Sequence, residues 1–334
     1  MKFTKHVIFL LNIFLLGVAC STSKPEQPHW YKGDLHAHYL PPGDTAACAC
    51  MADGYARQGY SFVVVDTACP AAGLTKGRLA LPGSECVDEH GVWTTAVNTV
   101  SRIWTAVALY EEVQQGNTSP NVLAYIPQTT GDLAAHHLRN IRRAGGLAVL
   151  SRGTLNRLAP ETAAAIEELQ FIEIFDGDTL TEAPWDSLLT RRKTVFAVAA
   201  DTSLAGRAWV MVQADSLTPT CVANALEQGR FYASSGVMLS GITQAHTRFA
   251  VEVDTAATRK QLPVALQQGC TTDTTRYEIT FITAEGKAAK RITGLRGRYE
   301  SRLGDGYVRV RVTYSHPVDS LVYHAWTQPW ILTF

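Results

Sequence analysis

The stretch Gly33-Asp34-Leu35-His36-Ala37-His38 decides both the fold and the chemistry of this 334-residue chain. In extended backbone, residues i and i+2 share a face, so the imidazoles of His36 and His38 can converge on one cation. Two histidines satisfied inside a core would show the same spacing. Their position separates the two cases. Residues 31–35 predict a first strand, and in parallel α/β folds ligand groups gather where strands end. Three more polar residues follow apolar runs in this way: Asp66 after residues 62–65, Glu85 in Pro82-Gly83-Ser84-Glu85, and Asp201 after residues 195–200.

Outward from this stretch, short β-branched runs alternate with helical ones up to about residue 240. Strands are predicted at 31–35, 60–66, 122–126, 147–150, 171–175, 194–199 and 230–233. Helices are predicted at 45–58, closed by Gly59, and at 132–144, closed by Gly145-Gly146. Others run over 160–169, with Pro160 at the first helical position, and over 219–228, capped by Thr218 and ended by Gly229. Runs this apolar are buried on both faces, the mark of a parallel sheet covered by helices. Seven strands with crossovers predict a barrel. After about residue 245 the pattern alternates with period two, at 249–253, 277–281 and 307–312, and predicts a small antiparallel sheet or sandwich.

With 30 Lys+Arg against 30 Asp+Glu the net charge is zero, which excludes a nucleic-acid binder working through bulk positive charge. No nucleic-acid partner is expected. A composition of 46% hydrophobic and 18% charged residues excludes a disordered or collagen-like chain.

Lys2 and Lys5 precede an apolar run over 7–18, and Gly17 and Ala19 lead to Cys20. This is the pattern of a secretory signal, too short for a membrane span of about 20 residues. Leu16-Gly17-Val18-Ala19-Cys20 resembles a bacterial lipoprotein signal, although Gly17 stands where that family prefers Leu. The resemblance implies cleavage before Cys20, lipidation of its sulfur, and an extracytoplasmic protein anchored to a bacterial membrane, in the periplasm or at the cell surface. An ordinary cleaved signal with an incidental Cys is the alternative. Residues 1–20 are thus an address, 21–28 a tether, 29–243 a barrel and 244–334 a β appendage. Six cysteines remain, at 48, 50, 69, 86, 221 and 270. One or two disulfides among the first four, with Cys221 and Cys270 as buried thiols, fit that compartment; a thiolate metal site is the alternative, though no CxxC pair is present.

Taken in order, 33–38, 59–66, 82–85, 145–150, 172–177, 195–201 and 229–236 make the chain resemble the PHP (polymerase and histidinol phosphatase) family of metal-dependent phosphoesterases. The likeness is to the secreted branch related to carbamate-ester hydrolases, covers residues 30–242, and continues at 307–309 and 325–329. It implies a distorted seven-stranded (β/α) PHP-type barrel with a small C-terminal antiparallel β domain. It also implies a metal site made by His36, His38, Glu85 and Asp201. The family's further ligands are missing: Thr67, Ala96, Ser203 and Ser151-Arg152-Gly153 stand where histidines belong, and Gly43, beside Asp44, replaces an acid.

One divalent metal (Zn, Mn or Fe) suits two imidazoles and two carboxylates. It would polarise a phosphoryl oxygen or acidify water, with Asp66 or Asp44 accepting the proton. Arg152, in the place of a lost ligand, could supply positive charge to an anion, or could be a drifted position in a dead site. Of the other histidines, His90 is read as a solvent-facing loop residue, and His136 and His137 as a solvated helix face. Trp93, Trp104, Trp185 and Trp209 are expected in the core, with Trp93 able to line a pocket. Three functions stay open: a single-metal hydrolase of phosphoesters or related esters, a degenerate pseudoenzyme binding a small anionic, phosphorylated or glycan ligand, and a scaffold.

Overall fold

The computed structural model describes residues 29–38, 45–66, 78–88, 90–125, 127, 129–201, 206–267, 273–318 and 321–332. The signal, Cys20 and the tether, with Asp44, Thr67, Cys69, Ser203 and Cys270, lie outside them.

The first part of the chain runs β1 (His29–His38), α1 (Thr45–Arg57), β2 (Phe62–Asp66), β3 (Leu79–Val87), β4 (Trp93–Val97), α2 (Ala106–Gln114), α3 (Thr130–Arg143) and β5 (Leu147–Leu150). It continues through α4 (Arg152–Leu155), α5 (Pro160–Ala165), β6 (Phe171–Phe175), α6 (Ala183–Thr190), β7 (Phe196–Ala199), β8 (Trp209–Ala214), α7 (Pro219–Glu227) and β9 (Phe231–Ser234). The appendage follows as β10 (Leu239–Ala245), β11 (Arg248–Val253), α8 (Thr255–Gln261), α9 (Val264–Gln267), β12 (Tyr277–Thr283), β13 (Lys287–Thr293), β14 (Arg296–Glu300), β15 (Tyr307–Ser315), β16 (Val322–Thr327) and β17 (Trp330–Ile331).

One mixed sheet carries the order β13-β12-β15-β16-β9-β8-β1-β2-β3-β4-β5-β6-β7, with β17 beside β15. β1, β2 and β3 pair in parallel, as do β5, β6 and β7. The ladders stop at β7, so hydrogen bonds between described strands do not close a seven-stranded barrel. β8 spends its two edges on β1 and β9, and β9 spends its edges on β8 and β16, which leaves no edge for β7. β7 meets β9 through side chains instead, with the rings of Phe196 and Phe231 6.1 Å apart. The expected appendage is present, and a second sheet of order β10-β11-β14 shares its core through Phe249, Val251 and Tyr299.

Other expectations need correction. Residues 122–125 lie in a 3-10 turn, Pro120–Tyr125, rather than in a strand, because Ser119 caps it by accepting the Asn121 and Val122 amides. α5 ends at Ala165, since Ile166 turns extended at φ −70°, ψ 110°. β3 was hidden by Pro82 and Gly83, residue types that argue against a strand. A Cβ at Gly83 would run into the Ala96 carbonyl and the Val64 side chain, so the close packing of β3 against its neighbours requires glycine. His137 is fully buried rather than solvated: α3 turns Leu133, Ala134, His137, Leu138 and Ile141 inward, a helical stripe. Trp185 and Trp209 are core, whereas Trp93 and Trp104 are each 44% exposed. Cys50 and the buried Cys86 carry thiols rather than disulfides, and so does Cys221, which is half-buried at the start of α7 rather than buried.

The first part of the chain and the appendage are joined by a buried charge network. Arg309 of β15 grips Asp186 of α6 in bidentate fashion (Nε–Oδ1 2.7 Å, Nη2–Oδ2 2.6 Å) and lies 2.7 Å from Glu182 Oε2. Arg311 and the Trp326 indole also donate to Glu182, and Tyr307 donates to Asp186.

Candidate functional site

The site begins with a carboxylate below the histidines. Asp34, fully buried on β1, accepts the His36 amide through Oδ1 (3.0 Å) and the Tyr55 hydroxyl of α1 through Oδ2 (2.6 Å). These bonds pin the end of β1 against α1 and fix where His36 emerges. β1 can lie this close to β2 because residue 33 is glycine; a Cβ there would sit inside the Phe62 ring.

The His36 imidazole lies between two carboxylates from different strands. Its Nε2 is 3.4 Å from Glu85 Oε1 on β3, and its Nδ1 is 3.9 Å from Glu173 Oε1 on β6. Burial opposes a charge on His36, but the Glu85 hydrogen bond and the charges of Asp34, Glu173 and Glu85 outweigh it and raise its pKa. Burial also pushes the Glu173 carboxyl up to about 7, against the pull of His36 and of the Arg152 amide. A buried carboxylate facing the second nitrogen of a histidine is the usual orienting partner of a metal-ligating imidazole.

Arg152 approaches from the other side. Ser151 caps α4, and the Arg152 amide that this exposes donates to Glu173 Oε2 at 3.2 Å. The Arg152 guanidinium is committed to Asp176, donating from Nε at 3.0 Å and from Nη2 to the same oxygen. Asp176 in turn accepts the Asp178 and Thr179 amides, and despite partial burial these bonds and Arg152 hold its pKa below the usual range. Asp201, fully buried after β7, accepts the Arg207 amide at 2.9 Å. Gly177 passes Asp201 at φ +95°, and a Cβ there would stand 3.2 Å from Oδ1.

His38 and Asp66 close β1 and β2, and His38 is in register with Val65. Their side chains lie outside what the structure describes. The structure brings His36 and Glu85 together, and the Arg152 amide reaches the same centre through Glu173. His90 is exposed in the turn between β3 and β4. Among the described residues, no three His, Cys, Asp or Glu side chains form a group able to hold a metal. The pair that is formed fits one: two ligands at about 2.1 Å in a tetrahedral shell stand about 3.4 Å apart, the spacing of His36 Nε2 and Glu85 Oε1.

Sequence reasoning missed Asp34, Tyr55 and Glu173. Glu173 left a signal: it is the one charged residue in the apolar run Phe171-Ile172-Glu173-Ile174-Phe175, and buried charges are kept for a reason. Glu85 also lines a cavity of about 610 Å³ together with Thr99, Ser101, Arg102, Thr105 and Glu111. Arg102 is held there by Glu112 at 2.7 Å and lies 4.6 Å over the exposed ring of Trp104.

No family model and no curated protein matches the chain. Among solved structures, the chain is similar to a two-domain protein from Bacteroides vulgatus ATCC 8482 described as containing a predicted PHP-like metal-dependent phosphoesterase. The two share 11% identity, with 90% of this chain and 96% of that one covered, at a TM-score of 0.46.

Proposed function

We propose that this chain is an extracytoplasmic lipoprotein with a PHP-like metal-dependent hydrolase centre, acting on phosphoesters or related esters through at most one metal. The placement of the His36 ring carries this: Nε2 faces the carboxylate of Glu85 while the buried Glu173 faces Nδ1. His36, His38, Glu85 and Asp201 would hold a divalent ion, Zn, Mn or Fe. When bound, such an ion acts as a Lewis acid toward a phosphoryl oxygen and makes water more acidic. The protein's own groups do the rest. Glu173 would face Nδ1 and so orient the His36 ring, leaving Nε2, on the Glu85 side, to give up its proton and hold the ion. Asp34 and Tyr55 fix the backbone from which the ring projects. Asp66 and Asp44 are the candidate proton acceptors.

A second function, binding a ligand without turnover, is favoured by one observation: Arg152 spends its guanidinium on Asp176 and so does not replace the positive charge of the metals whose ligands are missing. Elemental analysis of the purified protein, with a bis(p-nitrophenyl) phosphate assay, decides between the two. One metal per chain and turnover abolished by His36→Ala are expected. Metal without turnover would establish the binding protein, and no metal in any preparation would sink both.

A further inference from the structure

Away from His36, residues of β1, β9 and the appendage line a pocket of about 320 Å³, within the size range of small-molecule sites of about 300–1,000 Å³. Its walls include Trp30, at the start of β1, and Phe249 and Trp330 from the appendage. Trp30 lies six residues before His36 on the same strand, roughly 20 Å away at about 3.3 Å per residue, so the pocket is separate from the hydrolase centre.

The lining pairs flat aromatic surface with unspent polar groups. Trp330 is 38% exposed, with its ring held edge-on to Phe249 at 6.4 Å, and Trp30 is held edge-on to Tyr232 at 5.2 Å. The side-chain amide of Gln328 is consumed by the Ala197 backbone, to which it both donates and accepts. The amides of Gln213, Gln228 and Gln244, by contrast, have no hydrogen-bond partner among the described residues. Arg230 is the single charged side chain among the lining residues. Its Nε is buried without a hydrogen-bond partner, and its ion pair with Asp215, 69% exposed, is loose, at 3.9 Å from Nη1 and beyond hydrogen-bond distance.

We propose that this pocket binds a saccharide carrying a carboxylate, a hexuronate unit of an acidic glycan. Indole faces pack on the C–H faces of a pyranose, and neutral amides, each with two donors and an acceptor, match its hydroxyls. A lone guanidinium with unused N–H groups selects a carboxylate, which it holds in bidentate geometry. A purely apolar ligand would leave three amides and a cation unpaired, and a polyanion would meet only one positive charge.

The test is calorimetric titration of the full chain with tetramers of galacturonate, of glucuronate and, as the neutral counterpart, of glucose. At least one acidic tetramer is expected to bind about tenfold more tightly than the neutral one. Arg230→Gln should remove that preference, and Trp330→Ala and Gln244→Ala should each weaken binding by about fivefold or more. Should Trp330→Ala fail to fold, Gln244→Ala, at an exposed position, and the conservative Arg230→Gln carry the test. No binding of any tetramer overturns the proposal, as does binding that these variants leave unchanged. Equal affinity for acidic and neutral tetramers overturns the role given to Arg230. His36→Ala should leave this binding untouched.

Discussion

Two clusters of buried charge sit in this molecule, and they are balanced in opposite ways. At the junction, Arg309 and Arg311 face Glu182 and Asp186, and each carboxylate receives two or more charge-assisted or neutral donors. Burial raises the Glu182 pKa, but Arg309 and Arg311 more than reverse that and bring it below the usual range. Around His36 the carboxylates Asp34, Glu85 and Glu173 crowd one imidazole, and the guanidinium that comes near is already spent on Asp176. There the Glu173 carboxyl rises to about 7. Compensated charges hold a structure together, whereas an excess of one sign under burial is stable only if a cation or proton joins it, which is how a site differs from a staple.

The contrast breaks most visibly at Arg309. Arg309→Met should cost about 3–5 kcal/mol, because Asp186 and Glu182 would be left buried and uncompensated. Urea unfolding measures this, and a loss below about 1 kcal/mol would show that the junction is not the compensated staple described.

A third buried pair sharpens the comparison through pH. His137 Nε2 and Asp88 Oδ2 lie 3.7 Å apart, and Thr94 Oγ1 is 3.2 Å from Nδ1. Burial lowers the His137 pKa to about 4, with Asp88 opposing and His136 reinforcing. The unfolded imidazole titrates near 6.5, so between about 6.5 and 4 the unfolded state binds more protons. Stability should therefore fall by roughly 3 kcal/mol as pH drops through that window, and His137 should add no pH dependence above it. His137→Gln should flatten the slope of unfolding free energy there; an unchanged slope would remove His137 as its source.

At the proposed metal centre, Glu173→Gln should weaken metal binding about 10–100-fold by loosening the orientation of His36. The unfolding free energy should hold or rise slightly, since an uncompensated buried carboxyl is removed. Competition with a chelating dye reads the first and urea unfolding the second; a large stability loss with intact metal affinity would make Glu173 a staple after all. The smallest effect belongs to the surface. Arg207, 50% exposed, pairs with Asp178, 66% exposed, and Arg207→Ala should cost no more than about 1 kcal/mol in the same unfolding assay.

Part of this was legible in the sequence because it depends on local periodicity. The spacing of His36 and His38, the apolar runs of β2, β5, β6 and β7, and the caps Thr218 and Gly229 each act within a few residues. Thr218 accepts the Cys221 amide as a cap should, and Gly229 takes φ +67°. β3 was illegible because Pro82 and Gly83 argue locally against a strand, while Gly83 is dictated by neighbours distant in sequence, Val64 and Ala96. The inward turn of His137 was hidden because a helix rich in Arg and His looks solvated until its apolar stripe is laid against the sheet.

The sequence by itself determined the strand that carries His36 and His38, the alternation of strands and helices, and the switch to period-two patterning near residue 245. All of these follow from where side chains point along a single strand or helix. Only the tertiary structure decided that Glu173 faces His36, that Arg152 is held by Asp176, that β8 and β9 lead the sheet into the appendage, and that Trp30 meets Trp330 across a pocket. Such relations join residues tens to hundreds of positions apart. They are settled by which edges and charges remain unpaired once the local elements have formed, a quantity no local window of sequence contains.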